Sequence, residues 1–148
     1  MSNLNLPTMT PLNLAKLIRP GQSKTVAYAT TIDNVGGSFY VSHHGNHIAM
    51  IGTWEVIVSN AGWGSSTTRT RLNAILHDNG IRASVTQKNW EQKLIVSGDA
   101  FTWDWEHATT HAFSRAAFEM IAGTWTLTGI SASQYGALAE VERVEVAA

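Results

Sequence analysis

The sequence predicts an α+β protein: a mainly antiparallel sheet, built from a meander plus a hairpin and covered by two or three helices in a single domain. Three observations carry that prediction. Short runs alternating apolar and polar residues recur between Lys24 and Trp105, separated by turns that are mostly rich in Gly, Asn or Asp, as in strands with one solvated face. Leu72, Ile75 and Leu76 fall at helical spacing before an Asn79-Gly80 stop, so one amphipathic helix lies within the strand-rich stretch. A chain of 148 residues that is 44% hydrophobic, with six tryptophans, is long enough to bury one sizeable core.

The elements follow in chain order. Residues 1–11 are polar, carry Pro7 and Pro11, and read as a flexible arm, leaving 12–148 as the folded domain. Residues 12–19 form a short helix with Leu14, Leu17 and Ile18 on one face, ended by Pro20-Gly21, and a helix this short needs a docking surface. Residues 24–31 read as one extended run, 33–37 as a turn, and 38–44 as the next strand, with Gly45-Asn46 as a hairpin signal. Strands over 47–51 and 54–60 complete the meander, and a helix over 66–78 covers one face. Residues 81–87 and 90–96 form a hairpin about Lys88-Asn89, and Phe101, Trp103 and Trp105 share one face of the strand after it. A second substantial helix is expected over 115–122, with Ser114 as N-cap, a Phe113–Phe118 staple and Gly123 at its end. Residues 125–128 read as a short strand, and 134–146 fit either a helix or a closing strand.

Composition narrows the function. Ten basic residues against eleven acidic ones leave no bulk field for DNA or membranes, so contact with nucleic acid would need a local patch. Without cysteine there is no disulfide or thiolate metal site, which is compatible with a reducing cytoplasm. No apolar run approaches spanning length and residues 1–11 lack signal-peptide zones, so a soluble protein acting in the cytoplasm, with no membrane partner, is expected.

The chemistry concentrates in residues 60–71, where a Gly-Trp-Gly turn, four consecutive hydroxyl residues and two arginines lead into the central helix. A helix N-terminus presents unpaired N–H groups and partial positive charge, so phosphates bind there. Arg69 and Arg71 stand at that pole with no acidic neighbour in sequence, a mismatch of roughly 0.3–1 kcal/mol per charge that a bound anion reverses. The candidate anion-binding residues are Trp63, Gly64, Ser65, Ser66, Thr67, Thr68, Arg69 and Arg71, with Trp63 able to stack on a base. The plain alternative is that Ser65 or Ser66 caps the helix and the arginines meet water or Glu55. No P-loop or dinucleotide fingerprint is present, so NTP hydrolysis is not expected and no cofactor is implied.

His43, His44 and His47 cluster in sequence, and His107 and His111 stand one helical turn apart if that segment is helical. Three converging histidines would make a metal site, but the spacing is not a zincin arrangement and a regular strand would turn His43 and His44 to opposite faces. No metal is the expectation. There is no nucleophile elbow, no triad context, and the pair Asp104 and Glu106 is too generic for a glycosidase, so the chain reads as a non-enzyme.

His44-Gly45-Asn46-His47-Ile48-Ala49, Asn60-Ala61-Gly62-Trp63 and Thr67-Thr68-Arg69-x-Arg71-Leu72-Asn73 resemble a small domain family of unknown function encoded by bacteriophages and prophages. The resemblance spans about residues 40–96, with Ala61-Gly62 where the family pattern has two glycines. It implies a phage accessory protein without catalytic residues to carry over, in a setting where counter-defence factors, anti-CRISPR proteins among them, are common. Three readings result. The first is a binding protein whose ligand carries phosphate, either a nucleotide or a nucleic-acid backbone. The second is an inhibitor that covers a host protein surface, supported by low charge and surplus aromatics, and the weakest is a metal-dependent enzyme. A short antiparallel domain with an open edge also favours a homodimer.

Overall fold

The computed structural model describes residues 6–60, 66–89, 91–103, 108–115, 125–133 and 142–143. Within them the chain is dominated by antiparallel sheet, and the helical cover is smaller than expected. Helix α1 (Pro11–Leu17) starts at Thr10, whose hydroxyl accepts from the Asn13 N–H, with Pro11 in the first turn where its missing N–H costs nothing. It is held by Leu14 and Ile18, both buried, whereas Leu17 stays substantially exposed. Of the expected arm, Met9 is fully buried. Its N–H donates to the Asp78 carboxylate at 2.9 Å and its carbonyl accepts from Asn79 Nδ2 at 2.8 Å, which fixes this segment against the end of the central helix.

Five strands form the meander: β1 (Ser23–Ala27), β2 (Thr30–Val35), β3 (Ser38–His43), β4 (Asn46–Ile51) and β5 (Glu55–Ser59). Two expectations are corrected here. Residues 24–31 are not one strand, because the chain reverses at Tyr28-Ala29 and β2 runs through residues 33–35, which read as turn. Ala29 takes a left-handed φ of +52° there, without the glycine or asparagine that marks such turns in sequence. The next hairpin turns on His44-Gly45 rather than Gly45-Asn46, since His43 pairs with Asn46 across it. Both turn residues have positive φ, +50° and +79°, the backbone that matches strand twist in a two-residue hairpin.

After β5 come helix α2 (Ser66–Asp78) and a three-stranded sheet of β6 (Ala83–Lys88), β7 (Glu91–Val96) and β8 (Asp99–Trp103). Strands β9 (Ala108–Ser114), β10 (Thr126–Ser133) and β11 (Glu142–Arg143) then extend the first sheet, in the order β1-β2-β3-β4-β5-β9-β10-β11. Strand β9 was not expected. It pairs with β5 on one side and β10 on the other, so long-range pairing places His111 in a strand. Ser114 ends that strand, its hydroxyl 2.8 Å from Thr128 Oγ1. The expected helix over 115–122 and most of 134–146 fall outside the described residues, except β11.

One core joins the layers. Leu72, Ile75 and Leu76 of α2 bury against a cluster that includes Ile32, Val41 and Val58 of the large sheet and Val85 and Leu94 of the small one. Burying three such side chains contributes roughly 5–9 kcal/mol before entropy is counted, comparable with the net stability of a whole domain. Asn73 fixes the small sheet to the helix: its side-chain oxygen accepts from the Val85 N–H at 2.7 Å and its amide donates to the Val85 carbonyl at 3.0 Å. That pair of bonds occupies the outer side of β6, an edge strand.

Candidate anion-binding site

The turn Tyr28-Ala29, the turn His44-Gly45 and the first turns of α2 meet at one end of the large sheet. Strand register brings Thr30 opposite His43. Helical spacing puts Thr67 and Arg71 one above the other on the same face of α2. The four side chains form one chain of contacts. Thr67 Oγ1 is 3.1 Å from His43 Nε2, His43 Nδ1 is 3.0 Å from Thr30 Oγ1, and Arg71 Nε donates to Thr30 Oγ1 at 2.8 Å. Arg71 Nη2 also reaches the Tyr28 carbonyl at 3.5 Å. Thr30 Oγ1 donates its proton to the Tyr28 carbonyl at 2.9 Å, so a neutral His43 completes this chain by donating from Nδ1 to Thr30 and accepting from Thr67 at Nε2.

The electrostatics are those of a buried positive charge. Arg71 is only 5% exposed and has no carboxylate partner among the described residues. Burial lowers its pKa from the ordinary arginine value. His43, 3% exposed, is lowered to about 4, first by burial, then by the Arg71 charge and by His44, with an opposing contribution from the Ala29 carbonyl. The left-handed backbone at His44 brings its ring 4.4 Å from the His43 ring, correcting the expectation that the two point apart. His44 also meets the Tyr28 ring edge-on at 5.7 Å, and Tyr28 is 78% exposed.

The sequence-predicted site is brought together in part. Trp63, Gly64 and Ser65 lie outside the described residues. Ser66 and Thr67 are exposed at the start of α2, and Thr68 is buried. Arg69 is half-buried and its Nη1 donates to Gln87 Oε1 of β6, so it faces the small sheet while Arg71 faces the hairpin turns. Thr30, His43 and Tyr28 were not among the expected anion-site residues. Thr30 and Tyr28 lie 41 and 43 positions from Arg71, and only strand pairing around a turn without turn residues delivers them.

Among the described residues, no three His, Asp or Glu side chains are grouped to hold a metal. His47 is 3.0 Å from Ser42 Oγ and edge-on to Tyr40, and His111 is buried in β9 beside Phe101, where burial lowers its pKa to about 4. His107, Asp104 and Glu106 lie outside the described residues. No described helix is long and apolar enough to cross a membrane.

The Kyanoviridae Gp96 protein family matches residues 15–117, well over half of the chain. The chain belongs to that family. The family is a phage family, and its match runs beyond residues 40–96 at both ends, taking in the end of α1, the Tyr28-Ala29 turn and the whole of β9. Thr30, His43, Thr67 and Arg71 all lie inside the matched span. No curated protein and no solved structure matches the chain.

Proposed function

We propose that this member of the Kyanoviridae Gp96 family is a non-enzymatic phage accessory protein of the host cytoplasm that binds a phosphate-bearing ligand against Arg71. A nucleotide or a nucleic-acid backbone supplies such a group. The observation that carries the reading is an arginine residue 5% exposed whose guanidinium has no carboxylate beside it among the described residues. Isolated buried charge costs several kcal/mol, and natural chains normally pair it. Its Nη1 donates to nothing among the described residues, which leaves one arm of the fork for an anionic oxygen. At 4 Å and an effective dielectric of 20, one unit of negative charge there gains about 4 kcal/mol. Exposed Ser66 adds a hydroxyl donor, and the Tyr28 ring offers a face for a base.

The test is calorimetric titration of the protein with mononucleotides, nucleoside triphosphates and short oligonucleotides, beside an Arg71→Met variant. Binding that vanishes in the variant supports the reading, and absence of binding across the panel ends it. A second reading, inhibition of a host defence complex through protein contact, draws on the exposed apolar side chains Leu12, Val35 and Trp54. Pull-down from infected cells separates the two: nucleotide or nucleic acid retained with wild type but not Arg71→Met favours the first, a host protein retained by both favours the second.

A further inference from the structure

Of the exposed apolar side chains, Leu12 lines a groove, and Val35 and Trp54 adjoin its lining residues in sequence. A cavity of about 630 Å³ is lined by Leu12 and Ala15 of α1, Phe39 of β3, Gly37 of the β2–β3 turn, Thr53 and Arg115. Leu12 is 75% exposed on its wall. Val35, 60% exposed, sits in the hairpin between the lining residues Asn34 and Gly37, and Trp54, 48% exposed, follows Thr53. The volume is in the range of ligand and peptide pockets.

Arg115 gives the groove its chemistry. Its guanidinium carbon lies 5.4 Å from the Trp54 ring centre and 4.7 Å from that of Trp125. Its Nε donates to the Thr53 carbonyl at 2.8 Å, and its backbone N–H to the Trp54 carbonyl at 3.1 Å. The plane of the fork is thereby fixed, while its two Nη groups donate to nothing among the described residues. A guanidinium held this way is preorganised for two parallel bonds to a carboxylate. Two further basic residues adjoin the lining, which itself holds one carboxylate, that of Asp78. Lys16 follows the lining residue Ala15 and Arg19 precedes the lining residue Pro20, both exposed. The acidic lining residue, Asp78, already accepts the Met9 N–H.

We propose that this groove docks an acidic, apolar segment of a partner protein, with Arg115 clasping one carboxylate and an apolar side chain seated between Leu12 and Phe39. The surface is distinct from the Arg71 site and does not depend on it. A carboxylate paired with a preorganised, partly desolvated Arg supplies orientation, and the apolar contact supplies most of the burial.

The experiment is a fluorescence-anisotropy titration of the full chain with short peptides that combine Leu or Phe with Glu and Asp, against the same peptides carrying Lys at the acidic positions. The acidic set binds and the basic set does not. Arg115→Gln weakens binding about tenfold or more. Since Arg115 also braces two tryptophans, Leu12→Glu is the second variant: its side chain is already in water, so its melting temperature stays at the wild-type value while binding falls by a similar factor. Equal binding of both peptide sets, binding of neither, or indifference to both substitutions overturns the proposal. So does sedimentation showing that the protein self-associates and that Leu12→Glu dissociates it, since the occupant would then be a second copy.

Discussion

Replacing Arg71 with methionine separates a binding arginine from a structural one. The substitution keeps most of the aliphatic stem and removes the charge. It deletes the 2.8 Å bond to Thr30 Oγ1 and the long 3.5 Å contact with the Tyr28 carbonyl. A bond from a charged donor is worth about 1.5–3 kcal/mol, and the second contact is too long to add much. Against that loss stands the relief of a buried, uncompensated guanidinium, which costs several kcal/mol. The two nearly cancel, so the variant melts within about 1 kcal/mol of wild type, or roughly 2–4 °C for a domain of this size. A phosphate ligand at a hundred times its Kd stabilises wild type by about 2.7 kcal/mol, or roughly 5–10 °C, and leaves Arg71→Met where it was. Differential scanning fluorimetry with and without ligand reads both quantities. His43, freed from the neighbouring charge, also titrates at higher pH in the variant, which NMR of its ring protons follows. A ligand-free loss above about 3 kcal/mol, with no phosphate compound raising the wild-type melting temperature, would show that Arg71 is a strut between α2 and the hairpin turns.

Other consequences concern stability. His43 and His111 are held neutral in the fold to about pH 4 against 6.5 unfolded, so protons bind the unfolded chain first. Stability is complete above about pH 6.5, falls between 6.5 and 4, and levels off below 4, by about 3 kcal/mol for each histidine, which urea titrations across that window measure. Asn73→Ala removes both bonds to Val85 and exposes an edge of the small sheet, costing about 2–3 kcal/mol. Hydrogen exchange then quickens first at Val85, whose N–H Asn73 accepts. Met9→Ala leaves a cavity at a fully buried site and costs about 2–5 kcal/mol, with earlier proteolysis ahead of α1. Gly52→Ala brings a Cβ to 3.1 Å from the Glu55 carbonyl oxygen, and about 1–2 kcal/mol is lost unless the β4–β5 turn shifts, as denaturant midpoints report.

The parts of the fold legible in sequence were those whose cause is local. Helix α2 follows from the spacing of Leu72, Ile75 and Leu76 and a stop at Asn79-Gly80, and Gly36-Gly37 and Gly45 mark hairpins because few other residues accept those φ values. The Tyr28-Ala29 reversal carried no such mark. Its conformation is imposed by pairing of β1 with β2 and by the His44 N–H donating to the Ala29 carbonyl, contacts invisible in the local sequence. Strand β9 was hidden for a related reason. Residues 107–114 resemble a helix approach in sequence, with a serine at the end and histidines four apart, yet β5 and β10 claim both edges of residues 108–114. At the candidate site the hydroxyls and Arg71 stood out by composition, whereas their partners Thr30 and His43 arrive through the sheet. Asn73, part of the phage-family resemblance, proves to serve the fold by holding β6.

The central claim is that the buried charge of Arg71 awaits a phosphate. Calorimetric titration of wild type and Arg71→Met with the same panel of mononucleotides, triphosphates and oligonucleotides tests it most directly. The account predicts saturable binding of at least one member by wild type and none by the variant. Equal binding by both proteins, or no binding by either, contradicts it.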